Sequence, residues 1–542
     1  LAKSLFFFII KMQIFRRYNG TPANNPQEER IGMNIDAKIV SLDELSSKIK
    51  ALKAENKKVV LAHGCFDVLH VGHIRYLETA RQMGDALFVT VTPDRFVDKG
   101  ASRPAFTQQI RSEVLAALGL VDAVSINNWP TAVELLQLLQ PDIYVKGSDF
   151  QSAEVDPTGK LQQEAAVCAE LGIELRFTQD VVFSSTNLIN RFFSTFSDEL
   201  QEYLAIFRKR HPLDSVLAVL DAMQSLRVFI VSDTILDEYC YCSTLGVSSK
   251  YPTVAVQRLS TDVFAGGGLA IANHVAQLAK SVDLVTILGG AMADADTEWI
   301  TRHLNSAVTP HFFYAPNVET IRKLRYIERD SFTKLLEVYN CNSASVDKDS
   351  APGYTRAICD LARKNDFTIA ADFGHGAITA EQRNALVSMD TFLAVNTQCN
   401  AGNKMMNTIS NYSRADYVSI TENELRRDTH DLHTHLRALT CGTARRLHAR
   451  HVVATRGKFG LSLGRPDGGF FEIPAVTAQT TDTVGAGDAV FSIGAMAAYI
   501  GASAEIITFL ATVAGALAVQ TMGNSEPIAR VNLEKWITSL LK

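Results

Sequence analysis

From Lys38 onward the apolar residues alternate between helical spacing and short continuous runs. Leu42 to Glu55 carries apolar positions at helical spacing, and Lys58-Val59-Val60-Leu61-Ala62-His63 is a short apolar run after a polar break, as expected of a buried parallel strand. Ile74 to Met83 predicts a helix ended by Gly84, with Ala86-Leu87-Phe88-Val89-Thr90-Val91 as the next strand. Val121-Asp122-Ala123-Val124, a helix over 132–139 and a strand over 142–145 continue the alternation. Such βαβ order predicts a doubly wound parallel sheet, whose ligands bind beyond the carboxyl ends of its strands.

The pattern then changes. Residues 192–210 predict a helix of mixed charge, broken by His211-Pro212 before a second α/β unit opens with Arg227-Val228-Phe229-Ile230-Val231-Ser232-Asp233. That unit continues through a Gly-rich segment at Ala265-Gly266-Gly267-Gly268, strands over 367–372 and 452–455, and an Ala-rich helix over 489–499. No internal repeat links the halves. The expected organisation is a disordered extension over 1–32, one α/β domain over 33–195, a helical connector over 196–214 and a second α/β domain over 215–542.

Composition narrows the function classes. With 542 residues, 47% hydrophobic and 20% charged, the chain can bury two or three cores, so disorder does not dominate. A net charge of -5 offers no general basic surface, which disfavours nucleic acid and favours small charged metabolites at local phosphate sites. The eight cysteines are scattered; only Cys240-Tyr241-Cys242 is tight, with no second pair at zinc-ligand spacing, so a reducing, cytoplasmic setting is expected. Leu5-Phe6-Phe7-Phe8-Ile9-Ile10, bracketed by Lys3 and Lys11, falls far short of the roughly 20 residues that span a bilayer, so no stable membrane insertion is expected. Lys3, Lys11, Arg16 and Arg17 precede the first acid, Glu28, and the functional protein is expected to begin near Met33. His430, His433 and His435 read as a solvated helix end beside Asp428, Asp431 and Arg437, and Cys240 and Cys242 read as packing residues.

Two motifs carry candidate chemistry. In Gly64-Cys65-Phe66-Asp67-Val68-Leu69-His70-Val71-Gly72-His73, the two histidines share one face at a helix start, beside unpaired N–H groups that attract phosphate. In nucleotidyl transfer the incoming phosphate oxygen attacks the α-phosphorus in line and pyrophosphate leaves, so catalysis is positioning and charge stabilisation. Gly64 allows close backbone approach and Gly72 keeps the helix start open to a triphosphate. A chance pairing or a metal site competes for His-x-Gly-His alone, whereas the strand before it and the helix after it favour phosphate. In Asp482-Thr483-Val484-Gly485-Ala486-Gly487-Asp488, the Gly-Ala-Gly segment can present consecutive N–H groups to a transferring phosphoryl, and Asp488 can accept the proton of an attacking hydroxyl. A tight structural turn is the competing reading of that tetrapeptide.

Over about 160 residues, from Lys38 to Phe192, the first half resembles the cytidylyltransferase-like nucleotidyltransferases, in particular the heptose 1-phosphate adenylyltransferase module of ADP-heptose synthesis. Gly84-Asp85, Asp94, Ser102-Arg103-Pro104, Arg111, Val121-Asp122, Lys146-Gly147-Ser148-Asp149-Phe150 and Phe183-Ser184-Ser185-Thr186-Asn187-Leu188-Ile189 carry the likeness. The resemblance implies that His70 and His73 hold the reacting phosphates. Gly64, Cys65, Phe66, Asp67, Gly72, Asp94, Arg111, Ser185 and Thr186 would line the nucleotide and phosphate site, with Lys99 and Lys146 stabilising charge. The chain departs from the family at Thr92-Pro93-Asp94 and at Gly147-Ser148-Asp149-Phe150, which bears on nucleotide and sugar selectivity.

From about Arg227 to Leu541 the chain resembles the ribokinase-like sugar kinases, specifically the heptose 7-phosphate kinase module. Asp482–Asp488 is the most specific motif; Asp233–Tyr239, Gly266-Gly267-Gly268, Lys323-Leu324-Arg325 and Thr455-Arg456-Gly457-Lys458-Phe459-Gly460 support it. By that resemblance Asp488 is the general base and Gly485, Ala486 and Gly487 form the anion hole. Asp233, Asp237, Gly266, Gly267, Lys323 and Arg325 would bind the sugar, Thr455, Gly457 and Gly460 the nucleotide, and Glu424 would position Mg²⁺ through water. Ala270 stands where the family has Asn, Thr421-Glu422-Asn423-Glu424 replaces Asn-x-x-Glu, and Val395-Asn396-Thr397-Gln398 replaces an Asp-Pro-Lys-type segment.

The expected fold is α/β throughout: a doubly wound, Rossmann-like nucleotidyltransferase domain followed by a ribokinase-like domain. The resemblance implies ADP-heptose synthesis from ATP and sugar phosphates, with Mg²⁺, a monovalent cation in the kinase domain, a homo-oligomer, and a separate phosphatase between the two steps. The order nucleotidyltransferase then kinase is the reverse of the familiar fused enzyme. Two alternatives stay open, a different activated sugar or polyol such as a CDP-linked one, and a catalytically silent kinase-like domain used for binding or assembly.

Overall fold

The computed structural model describes residues 35–97, 104–147, 160–178 and 196–542, apart from 317, 341–344, 348, 404 and 478–479. The expected extension over 1–32 lies outside the described residues, as do Lys99, Ser185 and Thr186.

The first domain is a parallel sheet in the order β3-β2-β1-β4-β5, built from β1 Val59–Gly64, β2 Ala86–Val91, β3 Ala123–Ile126, β4 Ile143–Lys146 and β5 Glu174–Phe177. β2 is buried along its whole length, which explains its unbroken apolar run. Leu45 and Ile49 of helix Leu42–Ala54 pack on one face with Leu135, Leu136 and Cys168, and Leu77, Ala80 and Leu115 pack on the other. Ser41 and Glu44 form a capping box that starts the first helix. The second helix begins at Val71, three residues before the sequence pattern places it, because His70 caps it with its own imidazole.

The second domain contains two sheets that share one strand. β6, Arg227–Val247, is 21 residues long. Its first seven residues pair with β8 Ser281–Gly289, and residues 228–232 pair on the other side with β12 Phe367–Asp372. The core sheet continues outward through β9 Val308–Ala315 on one side. On the other come β13 Leu393–Thr397, β14 Tyr417–Thr421, β15 His451–Thr455, β16 Leu461–Gly464 and β17 Phe470–Ile473. From Thr234 onward β6 leaves this sheet and pairs with β7 Val254–Gly267 and β10 Ile321–Glu328, and β11 Lys334–Asn340 closes that second layer. These four strands form a lid over the carboxyl ends of the core strands. The sequence pattern stops β6 at Asp233; its continuation stays buried or half-buried through Ser243, between β7 and β10, and is exposed only from Thr244 to Val247.

Helices cover both faces of the core sheet, with Val490, Phe491, Phe509 and Trp536 on one side and Tyr354, Ile358 and Leu425 on the other. Helix Asp198–Arg210, within the expected connector, packs Leu200, Leu204 and Phe207 into the first of these cores. Phe207 stacks on Phe509 at 4.5 Å, and Arg210 and His211 both reach Glu505. Cys240 and Cys242 are buried on one face of β6 with their sulfurs 3.7 Å apart. Among the described residues no helix is long and apolar enough to cross a membrane.

Candidate active sites

Helix Ala486–Ile500 is buried from Ala489 to Ala498, so its position is fixed while its first turn stays at the surface of the core. Gly485 caps it at φ +84°, and a Cβ there would lie 1.9 Å from Asn524 Oδ1, so a larger residue would be strained and would have to displace Asn524. The N–H groups of the first turn have no intrahelical acceptor and point at incoming charge. A Cβ on Gly487 would meet nothing within 4 Å, which leaves that side open to a phosphoryl group.

Asp488 stands in this turn. Burial first, and then the nearby Asp237 carboxylate, push its carboxyl up to about 7, while Lys323 pulls the other way. A carboxylate with that affinity for protons can deprotonate a hydroxyl and hold the proton at neutral pH. Asp237 and Lys323 come from adjacent lid strands, where their Cα atoms are register partners. Lys323 is 6% exposed and lies over the rings of Tyr339 and Phe373; burial holds its ammonium below the ordinary value against the pull of Asp237. Arg325, on the same strand, donates to Asp237 Oδ1 at 2.5 Å and to Glu337 at 3.1 Å. Gly266 is required by this arrangement, because a Cβ would fall 2.2 Å from Asp237 Oδ2. Gly267 then starts helix Gly268–Ala276, in which Ala270 is buried.

Asp233 is in the same cluster but turned inward. Its two oxygens accept the N–H groups of Ala377 at 2.8 Å and His375 at 3.2 Å, which holds the loop after β12 in place. Burial raises its carboxyl to about 6. The loop carries His375, 1% exposed, whose Nε2 has no hydrogen-bond partner among the described residues. Burial, and then the Lys323 charge, lower this imidazole to about 4, so it stays neutral. Sequence reasoning missed His375, although Gly374 and Gly376 on either side, both at positive φ, mark a tight loop at a strand end.

Thr455 ends β15, and Gly457 and Gly460 bound the turn into β16. Glu424 is the returning half of a capping box: Oε2 accepts from the N–H and hydroxyl of Thr421, and Oε1 accepts from the N–H of Cys399 at 2.8 Å. Among the described residues no group of three or more His, Cys, Asp or Glu could cage a metal.

In the first domain, β1 ends at Gly64 and the chain turns through Phe66 at φ +47°. His70 Nδ1 accepts from Gly72 N–H at 3.1 Å, so in the neutral ring the proton sits on Nε2. His73 lies 4.1 Å from His70 between ring centroids, with the Phe66 ring at its edge. Asp67 is buried and accepts from Ala105 N–H at 2.6 Å. Arg111, 2% exposed, is a strut: it donates to the carbonyls of Cys65, Thr92 and Phe106 and to Asp94 at 2.6 Å. Lys146 pairs with Glu164 at 2.8 Å. His63, unnoticed in the sequence, lies between Thr90 and Thr92 and is pushed down to about 3 by burial and by Lys146. The structure thus brings His70, His73 and Gly72 together at a helix start, while Arg111, Asp94 and Lys146 brace the walls around them.

The profile of the pfkB family carbohydrate kinases matches residues 227–530, and that of the cytidylyltransferase-like domain matches residues 61–191. The chain is 45% identical over 122 residues to the bifunctional protein HldE of Geotalea uraniireducens (strain Rf4), a stretch covering 22% of this chain and 25% of that protein. Identity to the bifunctional protein HldE of Geobacter metallireducens is 37% over 166 residues, or 30% of this chain and 33% of that one. The chain therefore spans about a quarter to a third of the length of these curated relatives. Phosphofructokinase-2 from Escherichia coli in complex with substrates and products aligns at a TM-score of 0.48 and 15% identity, over 58% of this chain and 100% of that one.

Proposed function

We propose, from the premise that the chain belongs to the pfkB family of carbohydrate kinases, that its C-terminal domain phosphorylates a sugar phosphate at the anomeric hydroxyl and its N-terminal domain activates a sugar 1-phosphate as a nucleotide sugar. The observation that carries the reading is Asp488, held at about 7 at the mouth of a helix N-terminus and beside Asp237 and Lys323. In the kinase step the acceptor oxygen attacks the γ-phosphorus of MgATP, Asp488 takes the hydroxyl proton, and ADP leaves. The N–H groups of Ala486 and Gly487 meet the charge that builds on the phosphoryl oxygens. Lys323, Arg325 and Asp237 are the polar groups that face the acceptor.

In the nucleotidyl step an oxygen of the sugar 1-phosphate attacks the α-phosphorus of the nucleoside triphosphate, and pyrophosphate carries away the bonding electron pair. His70 presents Nε2–H to a phosphate oxygen, and His73 lies beside it with its ring tilted to that of His70. The likeness of the chain to bifunctional HldE proteins supports the nucleotidyl step, and the resemblance of both sequence motifs to the ADP-heptose enzymes carries ATP as the nucleotide and heptose 7-phosphate as the first acceptor. The same reading includes a monovalent cation in the kinase domain, a homo-oligomer, a cytoplasmic location and an independent fusion of the two domains. A different phosphosugar is the second reading, favoured by Ala270, which puts a methyl group where the family has an amide.

Purified protein incubated with MgATP and a panel of sugar phosphates tests both steps. Phosphoryl transfer that falls by about 10²–10⁴-fold in Asp488→Asn supports the kinase. Absence of transfer to every acceptor, with pyrophosphate release intact and dependent on His70 and His73, refutes it and leaves a silent domain. Comparison of ATP with CTP in the second step decides the base.

A further inference from the structure

Asp482, six residues before Asp488, is 4% exposed and accepts four hydrogen bonds. Oδ1 receives Lys334 Nζ at 2.7 Å and Val484 N–H at 3.2 Å; Oδ2 receives Tyr239 O–H at 2.6 Å and Gly523 N–H at 3.0 Å. Each oxygen thus takes one donor from a lid strand, Lys334 on β11 or Tyr239 on β6, and one backbone donor from the core. Those backbone donors lie next to the catalytic turn. Val484 precedes Gly485, and Gly523 precedes Asn524, whose Oδ1 presses against Gly485. The carboxyl is held below its ordinary value: burial opposes this, and the Lys334 and Tyr239 hydrogen bonds outweigh it.

An ammonium from the edge of the lid can occupy this position only while the lid lies over the site. If it withdraws, a buried carboxylate loses its charge partner, which the protein tolerates poorly. We propose that Lys334 is a positioning residue for phosphoryl transfer: its pairing with Asp482 couples lid closure to the Val484–Gly485 and Gly523–Asn524 backbones that shape the anion hole. The proposal rests on the kinase reading above. Lys334 touches no reacting atom, and it acts through Asp482.

The test compares the full-length wild type, Lys334→Met and Lys334→Arg, with Asp488→Asn as the chemistry control. Steady-state phosphoryl transfer is measured alongside amide hydrogen exchange at 482–487 and 523–524. Lys334→Met is expected to lower kcat by about ten-fold or more with KM for MgATP changed less than about three-fold. It is also expected to speed exchange at Val484 and Gly523 while β12 exchanges as in the wild type. Lys334→Arg should restore both readouts. Unchanged kcat and exchange, a loss accompanied by faster exchange throughout β12, or a loss that arginine does not restore would each overturn the proposal. A wild type that transfers no phosphoryl group defeats the kinase reading instead, and exchange at Val484 and Gly523 then decides the latch by itself.

Discussion

Replacing Asp488 by Asn should lower phosphoryl transfer by about 10²–10⁴-fold and, at alkaline pH, make the kinase domain more stable. The carboxyl moves from an ordinary value of 3.8 to about 7 on folding, chiefly through burial. A shift of about 3 units at 1.36 kcal/mol per unit sets an upper bound of about 4 kcal/mol, and about half that survives solvent access to the carboxylate. The sign follows from proton counting. Between about pH 4 and pH 7 the folded protein binds the proton and the unfolded chain does not, so rising pH destabilises the wild type across that window. Asn carries no charge at any pH. The stability of Asp488→Asn relative to wild type should therefore be near zero at about pH 4 and rise to about 2 kcal/mol favourable above pH 7. Trp299 and Trp536 report on the kinase domain, and Trp129→Phe removes the signal of the first domain. Urea titrations of this background with and without Asp488→Asn, from pH 5 to pH 8.5, give the difference curve. A difference that is flat across this range would refute the claim that Asp488 titrates near neutrality, and with it the account of how the base is poised.

Three further outcomes follow from the same geometry. The kcat/KM of the kinase step should fall tenfold per unit below about pH 7, with a single proton responsible, as a pH–rate profile with saturating MgATP will read. His70→Ala and His73→Ala should each lower pyrophosphate release by about 10²-fold or more while phosphoryl transfer is unchanged; equal loss in both assays would mean global damage. Gly485→Ala should destabilise the kinase domain by about 1–3 kcal/mol, from positive φ and the clash with Asn524. Gly487→Ala should leave stability within about 0.5 kcal/mol yet still weaken transfer, since its open face is where the phosphoryl group must come.

Local periodicity made the first domain legible: strands buried on both faces write continuous apolar runs, and β1, β2 and β4 fall within a residue of where those runs lie. The lid was not legible in the same way. Residues 234–243 are buried or half-buried, but acids, tyrosines and cysteines interrupt any continuous apolar run there, so the segment reads as loop until its partners are known. Asp488 and Gly485 could be found because their chemistry is compressed into seven consecutive residues. Lys334 could not, since it lies 148 positions from Asp482 and nothing local distinguishes it from a solvated lysine. His375 and Asp372 show the intermediate case. Asp372 accepts from Asn407, Tyr412 and Gly374 and so braces the His375 loop, yet only the positive-φ glycines leave a local mark.

Because one unbroken strand, β6, serves both sheets, the distance in sequence between its acidic residues is also a statement about handedness. Asp233 and Asp237 are four residues apart. Side chains alternate along a strand, so an even spacing keeps both on one side. Loss or gain of one residue between Asp233, which holds the His375 loop, and Asp237, which meets Arg325, would turn Asp237 away from Arg325 while every residue type was retained. The stretch Thr234-Ile235-Leu236 is thus constrained in length more strictly than in composition, and drift in this enzyme should substitute residues there without inserting or deleting any.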